Sequence, residues 1–237
     1  MKQKLEELNK KFKGAKSEEI LAFVLNEHKC KAAFSTSLGA EDQVITDMMV
    51  KVDACAKIFT LDTGRQFYET YDTLDKTNAK YGINIEIMFP DAFEVESMVK
   101  EKGINLFYES IENRKNCCNI RKLQPLKRAL KSYEVWITGI RREQSVTRED
   151  MQLFEWDNDL QMVKVNPLLD WSEKDTWKYI RENKVPYNIL HDKGYPSIGC
   201  APCTRAVEKG ENPRNGRWWW ENADTKECGL HLHVKTS

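Results

Sequence analysis

Ala32-Ala33-Phe34, followed by Ser35-Thr36-Ser37-Leu38-Gly39-Ala40-Glu41-Asp42, decides the fold. Three small or apolar residues read as a short buried strand. The hydroxyl and glycine residues read as a tight loop, and residues 42–50 as the helix that follows. The alternation continues outward. Upstream, Ser17-Glu18-Glu19 opens a helix with a hydroxyl cap and first-turn acids, and Ile20, Leu21, Val24 and Leu25 share one face. Downstream, 57–61 is a second strand ending in Asp62-Thr63-Gly64-Arg65, and a helix over 66–81 stops at Gly82. Residues 83–89 alternate as a third strand before Pro90. A helix over 93–102 precedes one introduced by Cys117-Cys118, with Leu126, Ala129 and Leu130 on its apolar side. Residues 135–140 form a fourth strand and 160–165 a fifth, and Ser172-Glu173-Lys174-Asp175 caps a helix carrying Trp177, Tyr179 and Ile180. This pattern predicts an α/β fold: an open, mostly parallel sheet with helices on both faces and ligands outside the strands' carboxyl ends. Three loops leave such ends: 35–42, 62–65 and 139–148. From about Pro186 the periodicity dissolves. The expected organisation is one domain over 1–203 and a mobile, irregular tail over 204–237.

The chain has 237 residues, with 37 Lys+Arg balanced by 37 Asp+Glu. A neutral chain has no global field to gather nucleic acid or an anionic membrane, so neither is an expected partner and any anion site must be built locally. With 41% hydrophobic and 31% charged residues, the composition is that of a folded globular protein. The start, Met1-Lys2-Gln3-Lys4-Leu5-Glu6-Glu7, has no apolar core for a signal peptide, and no apolar run approaches the roughly 18 residues of a membrane span. The expected location is cytoplasmic, where thiols stay reduced.

Cysteines stand at 30, 55, 117, 118, 200, 203 and 228. Cys30 and Cys55 lie in short apolar contexts and read as buried small hydrophobes. Cys117-Cys118 and Cys200-Ala201-Pro202-Cys203 form a two-plus-two thiol set, which suits an iron–sulfur cluster, zinc or a redox dithiol. Adjacent cysteines are unusual for structural zinc, and on a helix their side chains diverge by about 100°. A bulky four-iron cube answers that divergence better than one tetrahedral ion. Arg121 and Lys122 could supply charge to an anionic cluster. Cys228, between Lys226-Glu227 and Gly229-Leu230-His231-Leu232-His233, is a candidate low-pKa thiolate; the plain alternative is a spare exposed cysteine. His28 and His191 read as surface or packing residues, and Trp218–Trp220 as an anchor for the tail.

The loop 35–42 sits where backbone N–H groups and a helix dipole favour an anion, although it would serve equally as an ordinary turn capped by Ser37. It lacks the Walker and dinucleotide glycine patterns. It is a cousin of the Ser-Gly-Gly-x-Asp-Ser loop of ATP pyrophosphatases, with one glycine left and two acids added. Residues 139–148 put Arg141, Arg142 and Arg148 just past a strand, either as forks for phosphate or sulfate or as a solvated basic turn paired with Glu143 and Glu149.

Seven segments together resemble the thioredoxin-dependent, assimilatory adenylyl-sulfate reductase family. They are Ser37-Leu38-Gly39-Ala40-Glu41-Asp42, Leu61-Asp62-Thr63-Gly64-Arg65, Cys117-Cys118-x-x-Arg121-Lys122, Gly139-x-Arg141-Arg142-x-Gln144-Ser145-x-Thr147-Arg148, Cys200-x-x-Cys203, Arg214-x-x-Arg217-Trp218-Trp219-Trp220-Glu221 and Lys226-Glu227-Cys228-Gly229-Leu230-His231. The resemblance implies an adenine nucleotide alpha hydrolase-like sheet, a [4Fe–4S] cluster on Cys117, Cys118, Cys200 and Cys203, and Cys228 as nucleophile. Adenylyl sulfate would lie against Ser35, Ser37, Gly39, Ala40, Glu41 and Asp42, against Leu61, Asp62, Thr63, Gly64 and Arg65, and against Lys122 and Gly139. Arg141, Arg142, Arg148, Arg214, Arg217 and His231 would meet its anionic oxygens. The reductant would be a separate thioredoxin, because the chain carries no appended thioredoxin-like domain; a homo-oligomer stays open. Two other enzyme readings remain, reduction of 3′-phosphoadenylyl sulfate and an ATP-pyrophosphatase-type sulfur or amide transfer, alongside a zinc-binding module without catalysis.

Overall fold

The structure, a computed structural model, describes residues 2–144, 148, 150–208 and 210–222. By its internal contacts the chain divides into two units, one taking 1–60, 70–86 and 130–188, the other 61–69, 87–129 and 189 onward.

The first unit is organised by β1, Ala32–Thr36, whose first three residues are apolar and whose chain is almost wholly buried. It pairs in parallel with β2 (Lys57–Leu61), placing Ser35 opposite Phe59, and with β4 (Val135–Ile137). β6 (Met162–Val165) extends the parallel set beyond β4, and β5 (Phe154–Asp157) runs antiparallel to β6. With β3 (Glu86–Met88) the strand order is β3-β2-β1-β4-β6-β5, so the sheet is the mostly parallel one predicted by the alternation. The helices of this unit are α1 (Lys2–Lys11), α2 (Ser17–His28), α3 (Ala40–Val52), most of α4 (Tyr68–Tyr81) and α8 (Glu173–Glu182). Ile20, Leu21, Val24 and Leu25 of α2 join Val44, Ile45 and Met48 of α3 in the main core. Helices α3, α4 and α8 are bolted by one buried carboxylate: Asp47 accepts from Tyr81 Oη at 2.7 Å and Tyr179 Oη at 2.7 Å, and meets Lys51 Nζ at 2.6 Å. Ser172 caps α8 as predicted, its hydroxyl accepting from the Asp175 N–H at 3.1 Å.

Several elements depart from the sequence pattern for local reasons. The third strand shrinks to Glu86–Met88 because Asn78 takes the N–H groups of Ile83 and Ile85, the first on its carbonyl (3.2 Å) and the second on its side chain (3.1 Å). β5, which the sequence pattern leaves unassigned, alternates apolar and acidic residues over Phe154-Glu155-Trp156-Asp157. Cys30 and Cys55 are exposed rather than buried. Cys30 lies in a tight helical turn, and Cys55 in a turn where its own N–H donates to Asp53 Oδ1 at 2.8 Å; both turns face the residue outward just before a strand.

The second unit holds α5 (Ala92–Lys102), α6 (Ile111–Cys118) and nearly all of α7 (Gln124–Leu130). Asp91 caps α5 and Ser110 caps α6, each accepting from the N–H three residues on. The paired cysteines do not introduce a helix: they end α6, and a π-helical segment, Asn119–Leu123, joins it to α7. Single π turns of this kind widen a helix locally and are common at functional sites. Residues 189–222 run as short turns. Where the sequence opens a tail at 204, the described chain stays packed: Thr204 and Arg217 form an antiparallel bridge, and Trp218 is 1% exposed. Cys228 and His231 lie outside the described residues. Among the described residues no helix is long and apolar enough to cross a membrane.

Candidate functional site

All four paired cysteines line one small cavity of about 20 Å³ in the second unit, together with Arg65, Phe107, Arg114, Arg121 and Lys122. The end of α6 and the π segment deliver Cys117, Cys118, Arg121 and Lys122. A tight turn brings Cys200 and Cys203 together, with the Cys203 N–H on the Cys200 carbonyl at 2.9 Å. Tyr108 Oη braces that turn by donating to the Pro202 carbonyl at 2.7 Å.

The loop after β2 is tied into the same place. Gly64, at φ +70°, turns the chain so that its N–H reaches Asp62 Oδ1 at 2.7 Å. Thr63 Oγ1 then lies 3.2 Å from Cys200 Sγ, and the Arg65 carbonyl accepts from the Ala201 N–H at 2.8 Å. Arg121, 7% exposed, donates through Nη1 to the Thr63 carbonyl at 2.7 Å. Arg65 stacks over Phe107 and donates to the Ile104 carbonyl at 2.6 Å. Thr63, Gly64, Arg65 and Lys122 thus lie with the cysteines, and Leu61 and Asp62 lead into this turn.

Charge in the cavity is uneven. Burial opposes ionisation of Cys200, yet Lys122, the Thr63 hydroxyl, Arg217 and Arg121 outweigh it and hold its thiol below the ordinary value. Burial raises Cys117 despite Arg121, and burial with the neighbouring Cys200 pushes Cys203 up to about 12. Around them, Arg121 Nε, Arg217 Nε and Trp218 Nε1 are buried with no hydrogen-bond partner among the described residues. Buried donors are ordinarily satisfied, so these three call for an acceptor that the described side chains do not supply.

Trp218 organises the basic side. The guanidinium groups of Arg217, Arg114 and Arg214 lie 4.6, 4.8 and 5.9 Å from its ring. Gly199 gives Arg217 its space, since a Cβ there would strike the guanidinium. Arg114 is gripped by Glu221 through two bonds, Nε at 2.9 Å and Nη2 at 2.8 Å. Arg114 does not stand out in sequence as a site residue, and Glu221 enters only as the last residue of the 214–221 segment. The available signal was spacing: Arg114 precedes Cys117 and Cys118 by three and four residues, one helical turn.

In the first unit the loop 35–42 is closed on itself. The Ser37 N–H and hydroxyl both donate to Asp42 Oδ2, at 2.5 and 2.6 Å. The Leu38 N–H goes to Thr36 Oγ1 and the Gly39 N–H to Ser37 Oγ. Ser35 Oγ accepts from Trp136 Nε1 at 2.7 Å, and Ala40 begins α3 as a buried residue. Gly139 is glycine because a Cβ would fall on the Asp42 carboxylate. Burial raises the Asp42 pKa to about 6 against the two Ser37 hydrogen bonds. The arginines are engaged as well. Arg141 pairs with Glu41 at 2.8 Å and Glu143 at 3.2 Å, Arg142 with Asp170 at 3.1 Å, and Arg148 with the Gln144 side chain.

Residues 31–206 match the family model described as phosphoadenosine phosphosulfate reductase domain. The chain belongs to that family. The adenosine 5′-phosphosulfate reductase of Allochromatium vinosum is 52% identical over 198 residues, 84% of this chain and 77% of that one. The adenosine 5′-phosphosulfate reductase of Burkholderia cepacia is 48% identical over 225 residues, 94% of this chain and 90% of its own. Among solved structures, the phosphoadenylyl-sulfate reductase of Candida auris, a phosphate complex, superimposes with a TM-score of 0.75 at 28% identity, covering 87% of this chain and 98% of that one. The sheet is thus the phosphosulfate-reductase sheet that the sequence predicts.

Proposed function

We propose that this chain reduces adenylyl sulfate to sulfite and AMP, with Cys228 as nucleophile and a separate thioredoxin-type dithiol protein as donor. The observation that carries the reading is the single cavity lined by Cys117, Cys118, Cys200 and Cys203 and ringed by basic side chains, in a chain about half identical to reductases of that name.

The donor set fits a [4Fe–4S] cluster. Four soft sulfur ligands converge, and buried Arg121 and Arg217 donors await negative charge. Among the described residues, no three His, Cys, Asp or Glu side chains are grouped to hold one metal ion. A single tetrahedral ion needs every sulfur about 2.3 Å from one point, whereas a cube takes each thiolate at its own corner. When bound, the cluster supplies polarisation beside Lys122 rather than electrons.

In the chemistry of the chain itself, the Cys228 thiolate attacks the sulfur of the phosphosulfate. The S–O bond breaks, AMP leaves with the electron pair, and an S-sulfonated cysteine remains. A donor thiolate then attacks Cys228 Sγ; sulfite leaves with the S–S pair, and the donor's second thiol resolves the mixed disulfide. The donor dithiol supplies both electrons, as a reducing cytoplasm would sustain. Arg214 and Arg217, beside Trp218, face charge that grows as AMP departs.

Cys228→Ser should abolish sulfite formation, and wild-type protein mixed with adenylyl sulfate should gain a sulfite-sized mass on the Cys228 peptide. Sulfite release by Cys228→Ser at the wild-type rate would overturn the mechanism. The second reading, reduction of 3′-phosphoadenylyl sulfate, draws on the fold shared with the Candida auris phosphoadenylyl-sulfate reductase. Comparing kcat/KM on the two nucleotides decides between them.

A further inference from the structure

The Arg114–Glu221 pair is the most completely enclosed ion pair described in the second unit, with side chains 1% and 2% exposed. A buried pair is poor value as a stabiliser, because desolvating both charges cancels most of their attraction; its best-attested use is to fix register. What it fixes here is specific. Arg114 lines the cysteine cavity, one helical turn before Cys117 and Cys118. Its fork grips both Glu221 oxygens, which sets distance and angle together. Its flat face packs on Trp218, and Trp218 in turn holds Arg214 and Arg217. Glu221 N–H returns to the Trp218 carbonyl at 2.9 Å, closing residues 218–221 into one turn. Glu221 and Cys228 are seven Cα-to-Cα steps apart. Fully extended, these steps span at most about 25 Å, so the position of Glu221 bounds where the Cys228 thiol can go.

We propose that Arg114 and Glu221 are positioning residues for Cys228: their buried bidentate pair pins the start of the last segment to the helix that presents Cys117 and Cys118. This rests on Cys228 being the nucleophile. Neither side chain needs to touch the nucleotide. Misplacing a nucleophile by about 1 Å costs on the order of a hundredfold in rate, so loosening the pin should appear in the sulfonation step.

The test uses the full-length, iron-loaded protein. The rate of Cys228 S-sulfonation is followed by quenched-flow mass spectrometry at saturating adenylyl sulfate, per folded and iron-containing molecule. Glu221→Gln should slow adduct formation at least tenfold while KM for the nucleotide, iron content and visible absorbance stay near wild type. A second variant leaves the pair intact: Gly-Ser inserted after Asn222 lengthens the segment by two residues and should slow the same step by a similar factor. If both variants sulfonate Cys228 at the wild-type rate, the positioning role is wrong, although Cys228 remains the nucleophile. If Glu221→Gln fails to fold, the insertion decides alone: an unchanged rate overturns the proposal and a slowed one supports it. Absence of an adduct in the wild type would instead overturn the proposed function.

Discussion

The loop at 35–42 and the cysteine cavity manage their polar groups in opposite ways. In the loop, the N–H groups of Ser37, Leu38 and Gly39 are taken by Asp42, Thr36 and Ser37 itself. Arg141, the basic residue after β4 with the least exposure, is enclosed between Glu41 and Glu143. At the cavity, three buried donors, on Arg121, Arg217 and Trp218, have no partner among the described residues. A saturated loop is rigid before anything binds. A site with open donors is complete only when an anion arrives. The loop is therefore built for shape and the cavity for charge.

The sharpest way to break this contrast is to remove an open donor. Arg217→Ala deletes a buried guanidinium that also lowers the pKa of Cys200. Loss of one donor facing developing charge typically costs about 10²–10³ in rate, so kcat/KM for sulfite release should fall by that factor. A fall of less than threefold would show that the open donors are not the functional ones.

The next effect belongs to the saturated loop and concerns stability. Folded Asp42 titrates near 6, above the ordinary carboxylate value of about 3.9. The folded state thus holds this proton more tightly. Its stabilisation is fully present below about pH 4 and is lost as pH rises through about 6. The gap corresponds to about 3 kcal/mol. In Asp42→Asn that dependence disappears, so urea-denaturation stabilities of wild type and variant, compared at pH 4 and pH 7, should shift in favour of the variant by about this amount. Parallel pH profiles would mean that Asp42 is not held in its buried pocket. Gly139→Ala attacks the same pocket sterically. The new Cβ lands on the Asp42 carboxylate, and forced overpacking of this kind costs about 1–3 kcal/mol, visible as a lowered melting temperature.

The sequence made the loop more legible than the cavity. β1 and α3 announce themselves as a small apolar run followed by a hydroxyl- and glycine-bearing loop, so the segment 32–52 reads correctly to within two residues. The four thiols are legible as a set because their spacing and number are chemical. How they meet is not, because Asn119-Ile120-Arg121-Lys122-Leu123 has ordinary helix formers and nothing in it encodes a π turn. Arg114 hides for a related reason. Its meaning comes from Glu221, 107 residues away, and no local pattern records that partnership. Cys30 and Cys55 mislead because a short apolar context suggests burial, while the turn geometry that exposes them depends on where the next strand starts.

The smallest effect sharpens the comparison by serving as its control. Ser172 caps α8 in a reciprocal box, its hydroxyl accepting from the Asp175 N–H while the Asp175 carboxylate accepts from the Ser172 N–H at 3.0 Å. Ser172→Ala removes one side of that exchange, worth about 1 kcal/mol. For a chain of this size that corresponds to a drop of roughly 2–4 °C in melting temperature. None of the groups in the cap belongs to the loop at 35–42 or to the cysteine cavity. Sulfite release per folded molecule should therefore hold at the wild-type rate, measured well below the melting transition. If it instead falls in proportion to the lost stability, then rate losses in Arg217→Ala could also come from general loosening, and the distinction between a saturated loop and an open site would have to be drawn from nucleotide-binding affinities rather than from rates.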